Sequence, residues 1–520
     1  MNYLLAALVR TMQCITPTQH LVIIFCFMFV SSECQQSLTD TPTRQSWRLI
    51  QDMARDTVVQ VFAQIAEIDL MQPYKTPTQY GSRGSGFFIN EHGYIITNAH
   101  VIDQAHAIWI QIPSLGKRLI NVIVVGICPE RDIALLRVAD EDVDYIRSEL
   151  GYIPYLVLGD SDKVRRSDEV LALGYPLGQE SLKSTTGVIS GREKNLIQMS
   201  APINPGSSGG PLLNLAGEVI GITCAGIIEA QNVGYITPIN EVHVIKSDLE
   251  TTPLLRKPTL GIFSMYGTPE LTKLLGNPSP GGCYAVEVIK DSLMDKAGVK
   301  RGDMLYEING YRLDIYGEMK VPWSEDKITI ADFASRLALG DQVNITVYRH
   351  GARSECQVIF EQNKLLPIRR IYPGYEPLEY EIFGGMVVME LTLNHVKALI
   401  NQAPGLAKYL DMKHQLEPVL VVTHIFPNSQ LFRSRTLMVG VTLNEINGMP
   451  VKTLADFKAA IANPVSETYF TIKATDNVTR ASDHVLVVLA YNKVLEEEVT
   501  LSRDFRYPLS DTVQALLTKG

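Results

Sequence analysis

Three polar residues sit where their surroundings could make them reactive: Ser208, His100 and Asp132. Ser208 lies in N-P-G-S-S-G-G-P-L-L, residues 204–213. Gly206, Gly209 and Gly210 lack a Cβ, so the backbone there can turn sharply and aim consecutive N–H groups at one point. A nucleophilic serine needs that geometry, because its hydroxyl must be exposed and donors must face the oxyanion that forms during attack. His100 closes the stretch G-S-G-F-F-I-N-E-H-G-Y-I-I-T-N-A-H-V, residues 84–101. Its apolar runs 87–89 and 94–97 flank the turn Asn90-Glu91-His92-Gly93, a pattern that predicts a β-hairpin. Asp132 stands ahead of a buried-looking strand in R-D-I-A-L-L-R-V, residues 131–138. Each has a plainer reading alone. A glycine–serine run can be a flexible loop, a lone histidine can be structural, and an aspartate before an apolar run can be a turn residue. Their joint occurrence in the order His, Asp, Ser is harder to explain that way.

T-N-A-H-V, D-I-A-L-L and G-S-S-G-G-P resemble the three catalytic motifs of the HtrA/Deg family. These are trypsin-like serine proteases that usually carry C-terminal PDZ domains. The resemblance extends to Gly174-Tyr175-Pro176-Leu177-Gly178, Thr186-Gly187-Val188-Ile189-Ser190 and Gly234-Tyr235-Ile236-Thr237-Pro238. It implies His100 as general base, Asp132 as its orienting carboxylate and Ser208 as nucleophile. The oxyanion hole would be the backbone of Gly206, Ser207 and Ser208, with the N–H groups of Gly206 and Ser208 as donors. Ile203 and Ile227 would wall the specificity pocket, which implies small or medium apolar residues at the cleavage site. Two positions depart from the family pattern: Ser207 stands where asparagine is usual, and Ser200 where aspartate is common.

The 520 residues exceed one domain and predict three folded modules. The net charge of −9, with no long basic run, disfavours nucleic-acid binding, which rests on clustered Lys and Arg. No G-x-x-x-x-G-K loop occurs, so nothing implies ATP-driven unfolding. No cofactor and no metal site is expected. Of seven cysteines, five lie beyond Ser32: Cys34, Cys128, Cys224, Cys283 and Cys356. Their scatter and the lack of any C-x-x-C predict buried thiols rather than a disulfide framework.

The apolar run at 21–30 suits a signal-peptide core and is short for a membrane span. Cleavage after Ser32 would give residues 1–32 as signal peptide and export to the periplasm. A membrane anchor and organelle targeting are the alternatives. Residues 33–56 form an N-terminal segment with a helix over 43–55, and 65–83 reads as a modest loop. A loop that short argues against the cage assembly in which some family members use a longer one. The fold class expected is mostly β. The protease domain, 57–250, would run as two antiparallel six-stranded barrels of the chymotrypsin type, supported by short Val-, Ile- and Gly-rich runs. Two α+β PDZ-type domains would follow.

A linker spans 251–258, and the first PDZ-type domain spans 259–362. It contains T-L-G-I-F at 259–263 and S-L-M-D-K-A-G-V-K-R-G-D-M-L-Y-E-I-N-G at 292–310. PDZ domains take an extended peptide as an added strand and hold its terminal carboxylate in a backbone nest. Here the nest would be Leu260, Gly261 and Ile262, and the groove wall a helix over 329–339. Residues 317–327 read as an insertion near the groove. A second linker, 363–382, leads to a degenerate PDZ domain at 383–495. Its Phe383-Gly384-Gly385-Met386 resembles a carboxylate loop, but Val439-Gly440-Val441 lacks the expected Asp after Gly. Residues 496–520 are left as a C-terminal tail.

The resemblance implies an ATP-independent serine endopeptidase acting on unfolded or damaged proteins. Peptide C-termini would bind at the first PDZ domain, and the chains would form a homo-oligomer, trimer or hexamer. The rival function is a peptide-binding chaperone or adaptor with a latent protease domain.

Overall fold

The computed structural model describes residues 47–226, 233–463, 466 and 468–519. The chain parts into two units, Met1–Asp52 and Met53–Gly520. Of the first, only residues 47–52 are described, within helix α1 (Trp47–Ala54). The expected signal peptide, Cys34 and the start of the expected 43–55 helix lie outside the described residues.

In the second unit, alternating apolar residues build two closed antiparallel barrels. The first uses β1 (Val58–Glu67), β2 (Thr78–Phe88), β3 (Tyr94–Thr97), β4 (Ala105–Gln111), β5 (Ile120–Cys128) and β6 (Ile133–Val138), in the order β1-β2-β3-β6-β5-β4. The second uses β7 (Glu169–Gly174), β8 (Lys183–Glu193), β9 (Leu196–Met199), β10 (Pro211–Leu213), β11 (Val219–Gly226) and β12 (Gly234–Pro238), in the order β10-β11-β12-β9-β8-β7. Inward-facing Val59, Val61, Phe88, Ile110 and Leu136 fill the first barrel, and Val170, Ile197, Leu212 and Ile236 the second. Closure removes the exposed strand edges that an open sheet would present. The expected 65–83 loop is shorter still. Strand β1 runs to Glu67 and pairs with β2 from Thr78, because Ile65 and Ala66 continue the apolar register against Tyr80 and Gln79.

Two further sheets follow, consistent with PDZ-type domains. The third module holds β13 (Ile262–Met265), β14 (Cys283–Val288), β15 (Met304–Ile308), β16 (Tyr311–Arg312), β19 (Gln342–Arg349) and β20 (Ala352–Ile359). A two-stranded hairpin, β17 (Glu318–Met319) with β18 (Ile328–Thr329), brackets the expected insertion. The fourth module holds β21 (Glu381–Phe383), β22 (Met386–Glu390), β23 (Leu420–Ile425), β24 (Thr442–Ile446), β25 (Met449–Pro450), β26 (Tyr469–Thr475) and β27 (Val485–Ala490). Both use the same hairpin turn: Asn309-Gly310 with φ of 48° and 80°, and Asn447-Gly448 with φ of 51° and 75°. Positive φ at two successive positions is what that turn demands.

Two further sequence expectations need correction. The groove-wall helix is not 329–339 but the five residues Ile330–Ala334 (here α6), with Thr329 and Asp332 forming its capping box. The boundary at 495/496 does not divide a domain from a tail. Helix α10 (Tyr491–Phe505) starts directly after β27 and crosses that position, and α11 (Asp511–Lys519) follows. Val494, Val513 and Leu516 share the fourth module's core with Phe383 and Phe457. Their apolar spacing makes these helices part of the module.

The modules are tied together at several points. Tyr74, in the 68–77 connection of the first barrel, packs on Phe426 and Tyr507 of the fourth module, with ring centroids 5.5 and 5.8 Å apart. Arg256 in the first linker pairs with Glu376 in the second and lies 3.4 Å from Glu130 of the protease. Cys128, Cys283 and Cys356 are buried thiols without disulfides, as expected, and burial pushes Cys128 and Cys283 up to about 11.

Candidate active site

His100 is set by the end of β3. After Thr97 the chain stays extended at Asn98, then makes one 3₁₀ turn, Ala99–Val101. Ala99 and Val101 are buried, which turns the imidazole outward. Asp132 ends the turn that follows β5, at φ 55°, a conformation uncommon outside glycine. Asn98 holds that turn by donating from Nδ2 to the Asp132 carbonyl at 2.8 Å. The two residues, 32 apart in sequence, are joined twice. The His100 backbone N–H donates to Asp132 Oδ1 at 3.0 Å, and Nδ1 lies 2.8 Å from Oδ2. This fixes the ring and places the Nδ1 proton, leaving Nε2 able to accept one. Desolvation lowers the His100 pKa, but the hydrogen bond and charge of Asp132, with the charge of Asp103, outweigh it and leave it raised.

Ser208 lies between β9 and β10, in a loop held by both barrels. Ser85 of the first barrel donates from Oγ to the Gly206 carbonyl at 2.8 Å, and its backbone N–H donates to the Ser208 carbonyl at 2.8 Å. The Ser85 hydroxyl accepts in turn from the Tyr175 N–H at 2.9 Å. From the second barrel, Thr223 donates to the Ser207 carbonyl at 2.6 Å and accepts from the Gly209 N–H at 2.8 Å. Gly206 and Gly209 have φ of 95° and 87°. At Gly209 a side chain is excluded twice over, since a Cβ would run into the Ser85 carbonyl oxygen and Thr97 Oγ1. The Pro205 carbonyl accepts from the Leu177 N–H at 2.5 Å. In a trans peptide the next N–H points the opposite way, so that of Gly206 faces away from Leu177. The Ser207 N–H is engaged with the Asn204 carbonyl at 2.9 Å. The Ser208 hydroxyl donates to the Cys224 carbonyl at 3.2 Å.

His100 and Asp132 are therefore brought together as the sequence predicts, and Ser208 sits in the glycine-bracketed turn. Ser85, Asn98, Thr97 and Thr223 support them, and the sequence alone does not single these out. Ser85 and Gly206 are 121 positions apart, and no local pattern reports such a pairing. Ile203 packs on the second barrel's core and over Gly234, where a Cβ would stand 2.9 Å from its Cδ1. Ile227 lies outside the described residues. Ser200 accepts from the Val188 N–H at 3.0 Å.

The position just before Asp132 is occupied by Arg131, which is 4% exposed. It pairs with the buried Glu241 in helix α3 (Ile239–Thr251) and donates from Nη1 to the Ser335 carbonyl at 2.5 Å. Ser335 caps the C-terminus of α6. That helix lines a groove of about 670 Å³ whose other walls include Leu260, Gly261, Ile262, Tyr266 and Tyr316. Gly261 has φ 72° and sits at the start of β13. Arg166, in the connection just before β7, reaches Glu325 and Asp326 in the β17–β18 insertion beside the same module.

Residues 84–222 match the family model described as a trypsin-like peptidase domain. A relative from Marinomonas sp. (strain MWYL1), named "Probable periplasmic serine endoprotease DegP-like", is 30% identical over 351 residues, covering 62% of this chain and 70% of its own length. "Serine protease Do-like HtrA" of Bacillus subtilis (strain 168) is 28% identical over 314 residues, 55% of this chain and 65% of the relative. A solved structure titled "HtrA-type protease AlgW with decapeptide" is 24% identical at a TM-score of 0.47, covering 62% of this chain and 100% of that one. With two six-stranded barrels meeting where His100, Asp132 and Ser208 stand, the chain belongs to the HtrA/Deg family of trypsin-like serine endopeptidases.

Proposed function

We propose that this chain is an ATP-independent serine endopeptidase of protein quality control, cutting unfolded or damaged polypeptides outside the cytoplasm. The observation that carries the proposal is the doubly held His100–Asp132 pair, beside a serine turn that both barrels clamp. In the first step Ser208 leaves the Cys224 carbonyl and turns its hydroxyl to Nε2 of His100. Such contacts are commonly loose before substrate binds. Ser208 then attacks the scissile carbonyl, His100 takes the proton and returns it to the leaving amine, and Asp132 steadies the imidazolium. The N–H groups of Gly206 and Ser208 receive the oxyanion. The Ser207 N–H donates to the Asn204 carbonyl and so supports the turn instead of facing the oxyanion. Ile203 would shape the pocket for the residue before the cut.

The groove beside Gly261 suits an extended peptide added to the free edge of β13, with its carboxylate at the Leu260–Gly261–Ile262 backbone. Relatives named as periplasmic endoproteases support export of this chain. A homo-oligomer, trimer or hexamer, completes the reading. The chaperone alternative is disfavoured because no member of the triad is missing.

The test is digestion of unfolded casein by the purified chain and by its Ser208→Ala variant. The wild type should cut, and the variant should lose about 10⁶ of the rate. A variant that cuts as well as the wild type would show that Ser208 is not the nucleophile.

A further inference from the structure

The third and fourth modules are built on the same plan, and corresponding positions can be matched by their contacts. In the third, the Gly261 carbonyl accepts from the Ile289 N–H at 2.9 Å, and a Cβ on Gly261 would strike Ser292, the N-cap of helix α5 (Leu293–Lys296). In the fourth, the Gly385 carbonyl accepts from the Phe426 N–H at 2.9 Å, and a Cβ on Gly385 would strike Ser429, the N-cap of helix α8 (Gln430–Ser434). Phe383-Gly384-Gly385-Met386 is thus the counterpart of the loop at Gly261, and β22 the counterpart of β13.

The two loops differ in what lies against them. Among the described residues, strand β13 is the last of its sheet, with one edge unpaired, and the groove beside it is open. The matching edge of β22 is taken. Strand β21 pairs with it antiparallel through Glu381↔Val388, Ile382↔Val387 and Phe383↔Met386. That is the direction in which an added peptide strand would run. Helix α9 (Leu454–Ala462), the counterpart of α6, touches β21 as well: Lys458 Nζ lies 3.6 Å from Glu381 Oε2. The loop itself is filled by Glu498 of α10. Gly384 and Gly385, with φ of 65° and 79°, form a nest, and the Gly384 N–H donates to Glu498 Oε1 at 2.6 Å. The side chain is 0% exposed, and Tyr507 Oη lies 3.4 Å from Oε2. Next to it, Glu497 accepts from the N–H of Gln430 at 2.6 Å and pairs with Arg433, which locks α10 onto α8.

We infer that the fourth module is a carboxylate-peptide site occupied by this chain itself: β21 holds the strand position, Glu498 holds the carboxylate position, and only the third module takes a peptide from solution. A buried carboxyl with no partner would be costly, and the glycine nest supplies the partners. Burial, with a smaller push from the charge of Glu381, raises the Glu498 pKa to about 8 against the opposing N–H groups of Gly384 and Gly385. Near neutral pH the group is then held largely as the acid, which a glutamine can imitate as an acceptor.

The experiment uses the full chain carrying Ser208→Ala, so that a probe is not cut. The probe is a fluorescein-labelled decapeptide ending in a free valine carboxylate, with its C-terminal amide as control. Stoichiometry is read by titration, and hydrogen exchange by mass spectrometry at residues 259–265 and 384–390. Binding should saturate at one carboxylate peptide per chain, with added protection at 259–265 and none at 384–390. Glu498→Ala should speed exchange at 384–390 by about tenfold or more, the shift expected when a buried polar group loses its partner. Glu498→Gln should exchange like the parent. Two peptides per chain with added protection at 384–390 would overturn the inference, as would Glu498→Ala exchanging like the parent. Should Glu498→Ala unfold the module, the stoichiometry of the parent decides. The inference borrows the proposed peptide groove at Gly261 for comparison. A failure of that groove would appear as no binding at 259–265 while 384–390 stays protected.

Discussion

Replacing Arg131 with methionine would leave Glu241 a carboxylate in a dry place. The two side chains are 2% and 6% exposed, so solvent screens almost none of their interaction. Breaking a buried pair by removing one partner costs about 3–5 kcal/mol, because the remaining charge is uncompensated. The Ser335 carbonyl loses its charged donor as well, a further cost of about 1–3 kcal/mol if nothing replaces it. Part of that overlaps with the first figure, so about 4 kcal/mol is the expected local loss for Arg131→Met. The double change Arg131→Met with Glu241→Leu removes both charges and leaves apolar groups of similar size. It should recover most of the loss and fall within about 1–2 kcal/mol of the parent. A chain of several modules need not unfold in one step, so the assay should be local. Hydrogen exchange over residues 128–138 reports the opening of the turn that carries Asp132. A single variant costing under about 1 kcal/mol, or a double variant no better than the single, would refute the claim that the pair's charges are uncompensated without each other.

Three other outcomes follow from the active site. His100 must be neutral to accept a proton; desolvation lowers its pKa, but the hydrogen bond and charge of Asp132, with the charge of Asp103, leave it raised, so the acid limb of kcat/KM should lie on the high side of an ordinary imidazole. Asp132→Asn removes the hydrogen-bonded charge, so that limb should move to lower pH while kcat falls about 10⁴-fold; an unmoved limb would separate it from His100. Gly209→Ala should abolish cleavage while the barrels stay folded by circular dichroism, since its Cβ meets Ser85 and Thr97 at positive φ; full activity would mean the loop can move aside.

The chemistry was legible in the sequence wherever it depends on neighbours in the chain. Gly206 and Gly209 adopt the positive φ that a tight turn around Ser208 requires, and Ala99 and Val101 turn His100 outward simply by being buried. The barrels were legible through β alternation, and the two Asn-Gly turns through their left-handed demand. What was hidden is long-range. Ser85 holds Gly206 from another barrel, and a serine in G-S-G looks the same whether or not it does so. The fourth module hid for a related reason. Glu498 in E-E-E reads as a solvated helix face, and only folding reveals that it lies on Gly384. The boundary at 495/496 failed because Val494, Leu501, Val513 and Leu516 bury one side of helices that are otherwise charged.

The contrast between an open β13 edge and a covered β22 edge has a consequence in valency. Duplicated modules suggest two grips per chain, and a client gripped at two points on one chain would be held much more firmly than at one. On the proposed reading, in which the groove at Gly261 takes peptide ends and the β22 edge is covered, each chain would count as monovalent toward them. Firm capture would then have to come from several chains acting on one client, rising with the number of exposed ends the client carries, while a protein offering a single end would exchange freely. The second copy of the module, relieved of that task, would be left to brace the protease, through Tyr74 on Phe426 and on Tyr507 between α10 and α11.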